Sequence, residues 1–264
     1  MIQASGIETR TKTLAPWQKQ SNYEMNKILV IIPTYNEKEN IAKMIAKVFS
    51  LGKQFALLII DDHSPDGTAQ IVKQHLAQYN DRLFLIERGG KLGLGTAYIM
   101  GFKWALEHDF DLICEMDCDF SHNPDDLLLL SQSAAAGNDV VVGSRYVRGV
   151  NVVNWPMSRL LMSYGASKYV RLVTGMPLRD ATAGFVCYTR KALQTIDLDR
   201  IRMKGYGFQI EMKYTAWRLG LKIKEESIVF TERREGASKM SGGIFGEAFF
   251  GVMKLRLRKI HQKK

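Results

Sequence analysis

Residues 28–37 read ILVIIPTYNE. Five apolar residues run without interruption, and four of them are β-branched. A strand with one wet face alternates apolar and polar; a strand with no polar face is buried on both sides, as in a parallel sheet covered by helices. Pro33 is read as ending this strand at Ile32. The same grammar recurs downstream. Residues 55–60, 82–87, 111–116 and 139–143 read as further short strands. Between them, residues 37–50, 67–79, 95–108 and 124–136 carry helical spacing, such as Ile41, Met44, Ile45 and Val48. Asn123 and Pro124 fit the N-cap and first position of the last of these helices.

The alternation predicts an α/β fold with a mostly parallel, doubly wound sheet and right-handed crossovers. Residues 28–145 read as its nucleotide-binding half, and residues 146–242 as a looser second half. In the latter, 157–174 and 207–219 read as helices and 222–230 as a strand. Residues 243–260 read as an amphipathic helix with Ile244, Phe245, Ala248, Phe249, Val252 and Met253 on one face, so that 243–264 makes a basic C-terminal segment. Residues 1–24 are polar and patternless; they are expected to be a disordered arm, or Met25 to be the start.

The 264 residues carry a net charge of +10, with nine Lys or Arg against two Glu between residues 233 and 264. Such an end suits an anionic partner (phosphate, anionic membrane or nucleic acid) or is simply solvated. No zinc-finger spacing or RNA-binding aromatic pattern supports nucleic acid. No apolar run is long enough to span a bilayer, and no signal-peptide core is visible. Cys114, Cys118 and Cys187 show no metal-ligand spacing and read as reduced, buried residues in a reducing compartment.

In doubly wound sheets ligands sit at the carboxyl ends of the strands, and the unusual polar clusters fall there. Asp117-x-Asp119 follows the fourth strand. Two carboxylates so close repel unless a cation lies between them, so the pair is either a seat for a hard divalent ion or a solvated cap. Asp61-Asp62 follows the second strand, where an acidic residue commonly meets ribose or base; the alternative is turn chemistry, with Asp66 shaping the loop. GGKLGLGTA (89–97) is a phosphate-cradling loop or a flexible turn. ERREGASKMSGG (232–243) mixes cations with Gly and Ser and suits a mobile loop closing on phosphate. His122 beside the acidic pair is placed to touch the site, but reads first as a solvated turn residue.

Taken in order, PTYNE, DDHSPDGT, GLGTAY, MDCDFSHNP, GSRY, DATAGFVCY and GASKMSGG resemble family 2 glycosyltransferases, and more narrowly the polyprenyl-phosphate (dolichyl-phosphate) mannose synthases. The resemblance covers residues 28–258 and implies that 146–242 is the acceptor-side half with a mobile loop. It implies a GT-A fold and inverting, metal-dependent transfer of mannose from GDP-mannose to a polyprenyl phosphate; the alternative is UDP-glucose or another nucleotide sugar on the same acceptor. It places Pro33, Tyr35, Glu37, Ile60 and Asp62 around the guanosine. It gives Asp117 and Asp119 to Mg²⁺ or Mn²⁺, with the Cys118 backbone near the nucleotide. Arg145 and Arg159 would meet phosphate or donor sugar and, with Asp119, carry the catalysis, joined by Arg233 and Lys239 of the loop. Ser121 departs from the glutamine of some members, and water is expected in that position. Asp180 is the residue for a general base, or else structural. The resemblance further implies a peripheral enzyme on the cytoplasmic face of a membrane, with 157–174 and 243–260 either at the interface or facing the core. An anchoring partner is one option.

Overall fold

The computed structural model describes residues 26–203, 205–232, 243–258 and 260. Nine strands and eight α-helices are assigned among them: β1 (Ile28–Thr34), α1 (Ile41–Ser50), β2 (Phe55–Asp61), α2 (Thr68–Tyr79), β3 (Leu83–Glu87), α3 (Leu94–Glu107), β4 (Leu112–Glu115), α4 (Asp126–Ala135), β5 (Val140–Ser144), β6 (Val152–Val153), α5 (Met157–Thr174), β7 (Val186–Thr189), α6 (Arg190–Thr195), α7 (Gly205–Arg218), β8 (Ile223–Ser227), β9 (Phe230–Thr231) and α8 (Gly243–Leu257).

Seven strands make one sheet in the order β3-β2-β1-β4-β7-β5-β8. The β3-β2-β1-β4 block is parallel, as is the β5-β8 pair. β7 runs antiparallel between β4 and β5. The sequence reading placed the fifth strand directly in a parallel block and did not foresee β7. Its four residues, VCYT, sit between Gly184 and the start of α6, too short to show a period. The consequence is that strands from both halves of the chain share one sheet.

Both faces are covered, as the unbroken apolar strands require. Leu29, Ile31, Leu58, Ile60 and Tyr188 pack toward α3 and α7, while Val30, Ile32, Leu57, Ile59 and Cys187 pack toward α1, α2 and α4. The α3 side is tight: a Cβ added at Gly101 would lie 2.8 Å from Ile31 Cγ2, so only glycine lets the helix approach β1. Cys114 and Cys187 face each other across β4 and β7, and all three cysteines are buried.

Several boundaries moved. Pro33 lies inside β1, which continues to Thr34 alongside β2. Pairing with β4 stops at Ile31, so an imide without an N–H costs no ladder bond on that side. The chain from Glu37 makes a turn before α1, with Ile41 N–H bonding the Glu37 carbonyl at 2.9 Å. Asn123 caps a lead-in turn rather than α4, its Oδ1 accepting from Asp125 N at 3.2 Å. The expected strand 222–230 divides into β8 and β9, and β9 leaves the main sheet to pair with β6.

Candidate active site

The carboxyl ends of β1, β2 and β3 carry one cluster. Asp61 accepts from Thr34 Oγ1 at 2.9 Å and from Ser64 N and Oγ at 2.8 and 2.6 Å. It is therefore the member of the Asp61-Asp62 pair committed to the turn. Asp62 instead accepts from Arg88, whose Nε lies 2.5 Å from Oδ1. Arg88 also donates to Thr96 Oγ1 at 2.7 Å and to the Gly93 carbonyl at 3.2 Å. One guanidinium thus ties Asp62 to the glycine loop. The sequence reading missed Arg88, although a cation directly between a strand and GGK was a visible signal. Asp66 shapes its loop as anticipated, accepting from Thr68 N and Oγ1 and from Lys38 N.

The residues expected around the guanosine gather at these strand ends but differ in what they can offer. Tyr35 is half-buried with Lys91 Nζ 4.7 Å from its ring centre. Glu37 accepts from Asn40 Nδ2 at 3.1 Å. The Ile60 side chain is fully buried against α3, which leaves only its backbone to face a ligand. The Cys118 side chain likewise packs in the core.

A second cluster surrounds a cavity of about 190 Å³. Asp117, Asp119, Arg145 and Arg159 all line it, together with Ser121 and His122. Pro33, Tyr35, Glu37, Ile60 and Asp62 do not; they lie beside it over β1 and β2. Asp119 is buried, and its Oδ1 accepts from Ser121 N at 3.1 Å and Ser121 Oγ at 2.6 Å. Phe120 between them takes a left-handed conformation, φ 57°. Ser121 therefore orients Asp119. The Asp117 side chain is 40% exposed and faces the cavity.

His122 corrects the expectation of a solvated turn. It is 3% exposed, stacked on Phe185 at 4.9 Å and edge-on to Phe230 at 5.2 Å. Burial pushes its pKa down to about 4; Asp119 opposes this and Arg145 reinforces it. The imidazole is neutral, and Asp117 N–H points at its Nδ1 at 3.4 Å.

Arg145 is locked in place. Its backbone N, Nε and Nη2 donate to Asp180 at 3.0, 2.7 and 2.6 Å, and Nη2 also donates to Thr182 Oγ1 at 2.8 Å. The guanidinium lies 5.5 Å from the Trp155 ring centre and 5.7 Å from Phe230. Arg159 lies over the same Trp155 ring at 4.3 Å and pairs with Glu232 at 2.7 Å. Arg233 and Lys239 lie outside the described residues, as does most of the loop that carries them.

Beneath the cavity lies a group that sequence reasoning did not single out. Glu115, Gln209 and Lys213 are 0%, 2% and 0% exposed. Gln209 Nε2 donates to Glu115 Oε2 at 2.7 Å; Lys213 Nζ donates to Gln209 Oε1 at 3.2 Å and to the Ala183 carbonyl at 2.6 Å. Burial raises Glu115 to about 8, against the pull of Lys213 and Gln209. Burial also lowers Lys213 to about 8, against Glu115 and Asp180.

The donors at Asp117 and Asp119 are hard oxygens, which suit Mg²⁺ or Mn²⁺. Among the described residues no cluster of three or more His, Cys, Asp or Glu could hold a metal. Two carboxylates fit a cation that completes its shell with ligand phosphate and water, the usual habit of Mg²⁺.

Known proteins resemble this chain closely. The glycosyl transferase family 2 model matches residues 29–197. The polyprenol monophosphomannose synthase of Mycolicibacterium smegmatis is 43% identical over 87% of this chain and 87% of its own length. The undecaprenyl-phosphate mannosyltransferase of Micrococcus luteus is 44% identical over 86% of this chain and 92% of its own. The dolichol-phosphate mannosyltransferase of Pyrococcus furiosus is 32% identical; the alignment spans 82% of this chain but 60% of that longer protein. Among solved structures, glucosyl-3-phosphoglycerate synthase from Mycobacterium tuberculosis aligns with a TM-score of 0.66 at 17% identity, covering 87% of this chain and 80% of that one. The same enzyme in complex with Mn²⁺, UDP and glucosyl-3-phosphoglycerate aligns at 0.62, with 18% identity over 88% and 79%. The fold is GT-A-like, and the chain belongs to glycosyl transferase family 2 and is a glycosyltransferase.

Proposed function

We propose that the protein transfers mannose from GDP-mannose to the phosphate of a polyprenyl phosphate, with inversion at the anomeric carbon. The observation that carries this is the composition of the cavity. An acidic pair, Asp117 and Asp119, and two guanidinium-bearing residues, Arg145 and Arg159, line the same space. A cation seat and two phosphate-binding arginines are what a reaction between two phosphate-bearing substrates needs. The mannosyltransferases at 43% and 44% identity support the sugar and the lipid class.

Asp62, Tyr35 and Glu37 would hold the nucleoside over β1 and β2, with Pro33, Ile60 and Cys118 offering backbone. Bound by Asp117 and Asp119, Mg²⁺ or Mn²⁺ would neutralise the diphosphate as it leaves. An acceptor phosphate oxygen attacks the anomeric carbon, the new C–O bond forms, and the bond to the GDP oxygen breaks. A phosphate monoester is already anionic near neutral pH, so no strong base is required to activate it. Arg145 and Arg159, with Arg233 and Lys239 of the loop, would hold the two anions together.

The lipid reading also rests on helix surfaces. α5 contributes Arg159, Met162 and Ser163 to the cavity and then carries Leu161 and Leu172 outward, 63% and 85% exposed. α8 lies against it, with Tyr169 and Phe249 stacked at 4.5 Å, and exposes Phe250 and Leu257 at 63% and 85%. Lys168, Arg171, Lys254 and Arg256 are exposed on the same two helices. No helix among the described residues is long and apolar enough to cross a membrane. Apolar side chains flanked by cations suit the anionic interface of a membrane surface.

The test is incubation with radiolabelled GDP-mannose or UDP-glucose and polyprenyl phosphates of graded length. Lipid-linked mannose is expected. Lipid-linked glucose without lipid-linked mannose overturns the assignment.

A further inference from the structure

We propose that Gln209 is the residue that contacts the donor hexose, held in place by Glu115 and Lys213. This rests on the glycosyl-transfer reading above and adds the sugar subsite to it.

Burying a carboxyl, an ammonium and an amide together is costly, and well-packed apolar residues would commonly serve stability as well or better. Such a cluster directly under a cavity therefore points to a positioning role. Its hydrogen bonds have one clear result. The Gln209 amide is fixed at both ends, by the Glu115 carboxyl at 2.7 Å and the Lys213 ammonium at 3.2 Å. A primary amide with its oxygen held by a lysine and one N–H held by a carboxyl cannot flip. Its second N–H keeps one orientation.

The amide itself lies at the cavity wall. Gln209 lines the cavity, as does Gly184. A Cβ built on Gly184 would sit 3.9 Å from Gln209 Nε2, so the amide nitrogen adjoins a stretch of wall that carries no side chain.

The position between elements is the second argument. Glu115 ends β4, two residues before Asp117. Lys213 holds the Ala183 carbonyl at 2.6 Å, next to Thr182, which in turn holds Arg145. The chain Glu115–Gln209–Lys213–Ala183 thus runs from the acidic pair to the support of Arg145. A hexose in transfer must occupy the space between the groups that hold the leaving diphosphate and those that hold the attacking phosphate. Gln209 is the oriented neutral donor there, and a buried donor is what discriminates one hydroxyl arrangement from another.

The experiment is calorimetric titration of GDP and of GDP-mannose, each with Mg²⁺, into the wild-type protein and Gln209→Met. GDP affinity reports the fold and the nucleoside site, and is expected to stay within about twofold. The ratio of the GDP-mannose to the GDP dissociation constant is expected to rise roughly fivefold, the loss of about one hydrogen bond. An unchanged ratio overturns the proposal. If Gln209→Met also loses GDP, Gln209→Asn, which keeps the amide but withdraws it by one methylene, is read by the same ratio. If the wild-type protein prefers another nucleotide hexose, the mannose assignment falls, and Gln209 is judged on the ratio for that donor and its own nucleotide.

Discussion

Asp180 receives three hydrogen bonds from Arg145, from the backbone N at 3.0 Å, from Nε at 2.7 Å and from Nη2 at 2.6 Å. Burial alone would raise its pKa, but the Arg145 charge and hydrogen bonds outweigh burial and hold the carboxyl below its ordinary range. A carboxylate so committed is a poor proton acceptor. Asp180→Asn should strand the buried guanidinium, which costs about 3–5 kcal/mol when a buried pair is broken. Activity should fall at least roughly a hundredfold with it, as Arg145 loses its aim. A melting curve and the pH–rate profile together decide: intact stability with loss of the acid limb would restore Asp180 as a base.

Asp119→Ala should abolish turnover and leave the fold intact. The lost interactions are local, since Ser121 N and Oγ are its bonded neighbours in the turn. Ser121→Ala should lower activity only several-fold, because it removes an orienting hydroxyl worth about 1 kcal/mol rather than a charge. Turnover by Asp119→Ala near the wild-type rate would refute the cation seat. Circular dichroism checks that the protein compared is folded.

Arg88→Met should raise KM for the donor roughly tenfold and change kcat little. The guanidinium joins Asp62 to Gly93 and Thr96 in the interior, away from the cavity that holds Arg145 and Arg159. Losing it frees Asp62 and the glycine loop, both expected on the nucleoside side. A fall in kcat with KM unchanged would place Arg88 in the chemical step instead.

The pattern of what the sequence disclosed has a physical cause. Strands β1 to β5 were legible because unbroken apolar runs have few alternatives in a chain of this composition. Asp117, Asp119, Arg145 and Arg159 were legible through motif order, and the structure brings all four to one cavity. β7 was not, because four residues carry no period and its antiparallel place between β4 and β5 depends on tertiary pairing. Gln209 and Lys213 were hidden for a different reason. Each is a polar residue that ordinarily sits in solvent, and only the fold reveals that it is buried and paired. His122 was misread on the same ground, its burial coming from Phe185 and Phe230, distant in sequence.

Lys213 should leave a signature in alkaline stability. Burial lowers its pKa from 10.5 to about 8. Between these values the unfolded chain holds the proton and the folded chain does not, so the Lys213 contribution to stability rises with pH. At about 1.4 kcal/mol per unit, the rise between pH 8 and 10 is about 2 kcal/mol. Lys213→Met should lack this slope. Removing Lys213 also lets the Glu115 carboxyl titrate higher, since Lys213 opposes its raised pKa, and this adds a falling slope above pH 8 to the Met curve. Denaturant midpoints measured at half-unit steps separate the two effects, and parallel curves for both proteins would show that Lys213 stays charged.

The outer faces of α5 and α8 give the remaining prediction. Arg256 Nη1 donates to the Thr174 carbonyl at 3.0 Å, and Tyr169 Oη to the Phe249 carbonyl at 3.0 Å, so the helices lie side by side in the same direction. Val252 and Leu255 fill the seam toward the core, while Leu172, Phe250 and Leu257 remain outside it. The apolar stripe read from the sequence is thus divided: Val252 faces the core, and Phe249 and Met253 are about half exposed. Replacing Leu172, Phe250 and Leu257 together by Ser should change the melting temperature little, because all three side chains are mostly exposed. Binding to vesicles containing anionic lipid should fall by an order of magnitude or more, since each side chain forfeits on the order of 1 kcal/mol of interfacial burial. Raising the salt should weaken the residual binding further, through Lys168, Arg171, Lys254 and Arg256. Activity on a short, water-soluble polyprenyl phosphate should be spared. Equal vesicle binding by both proteins would remove the membrane role of these helices and leave the cavity chemistry untouched.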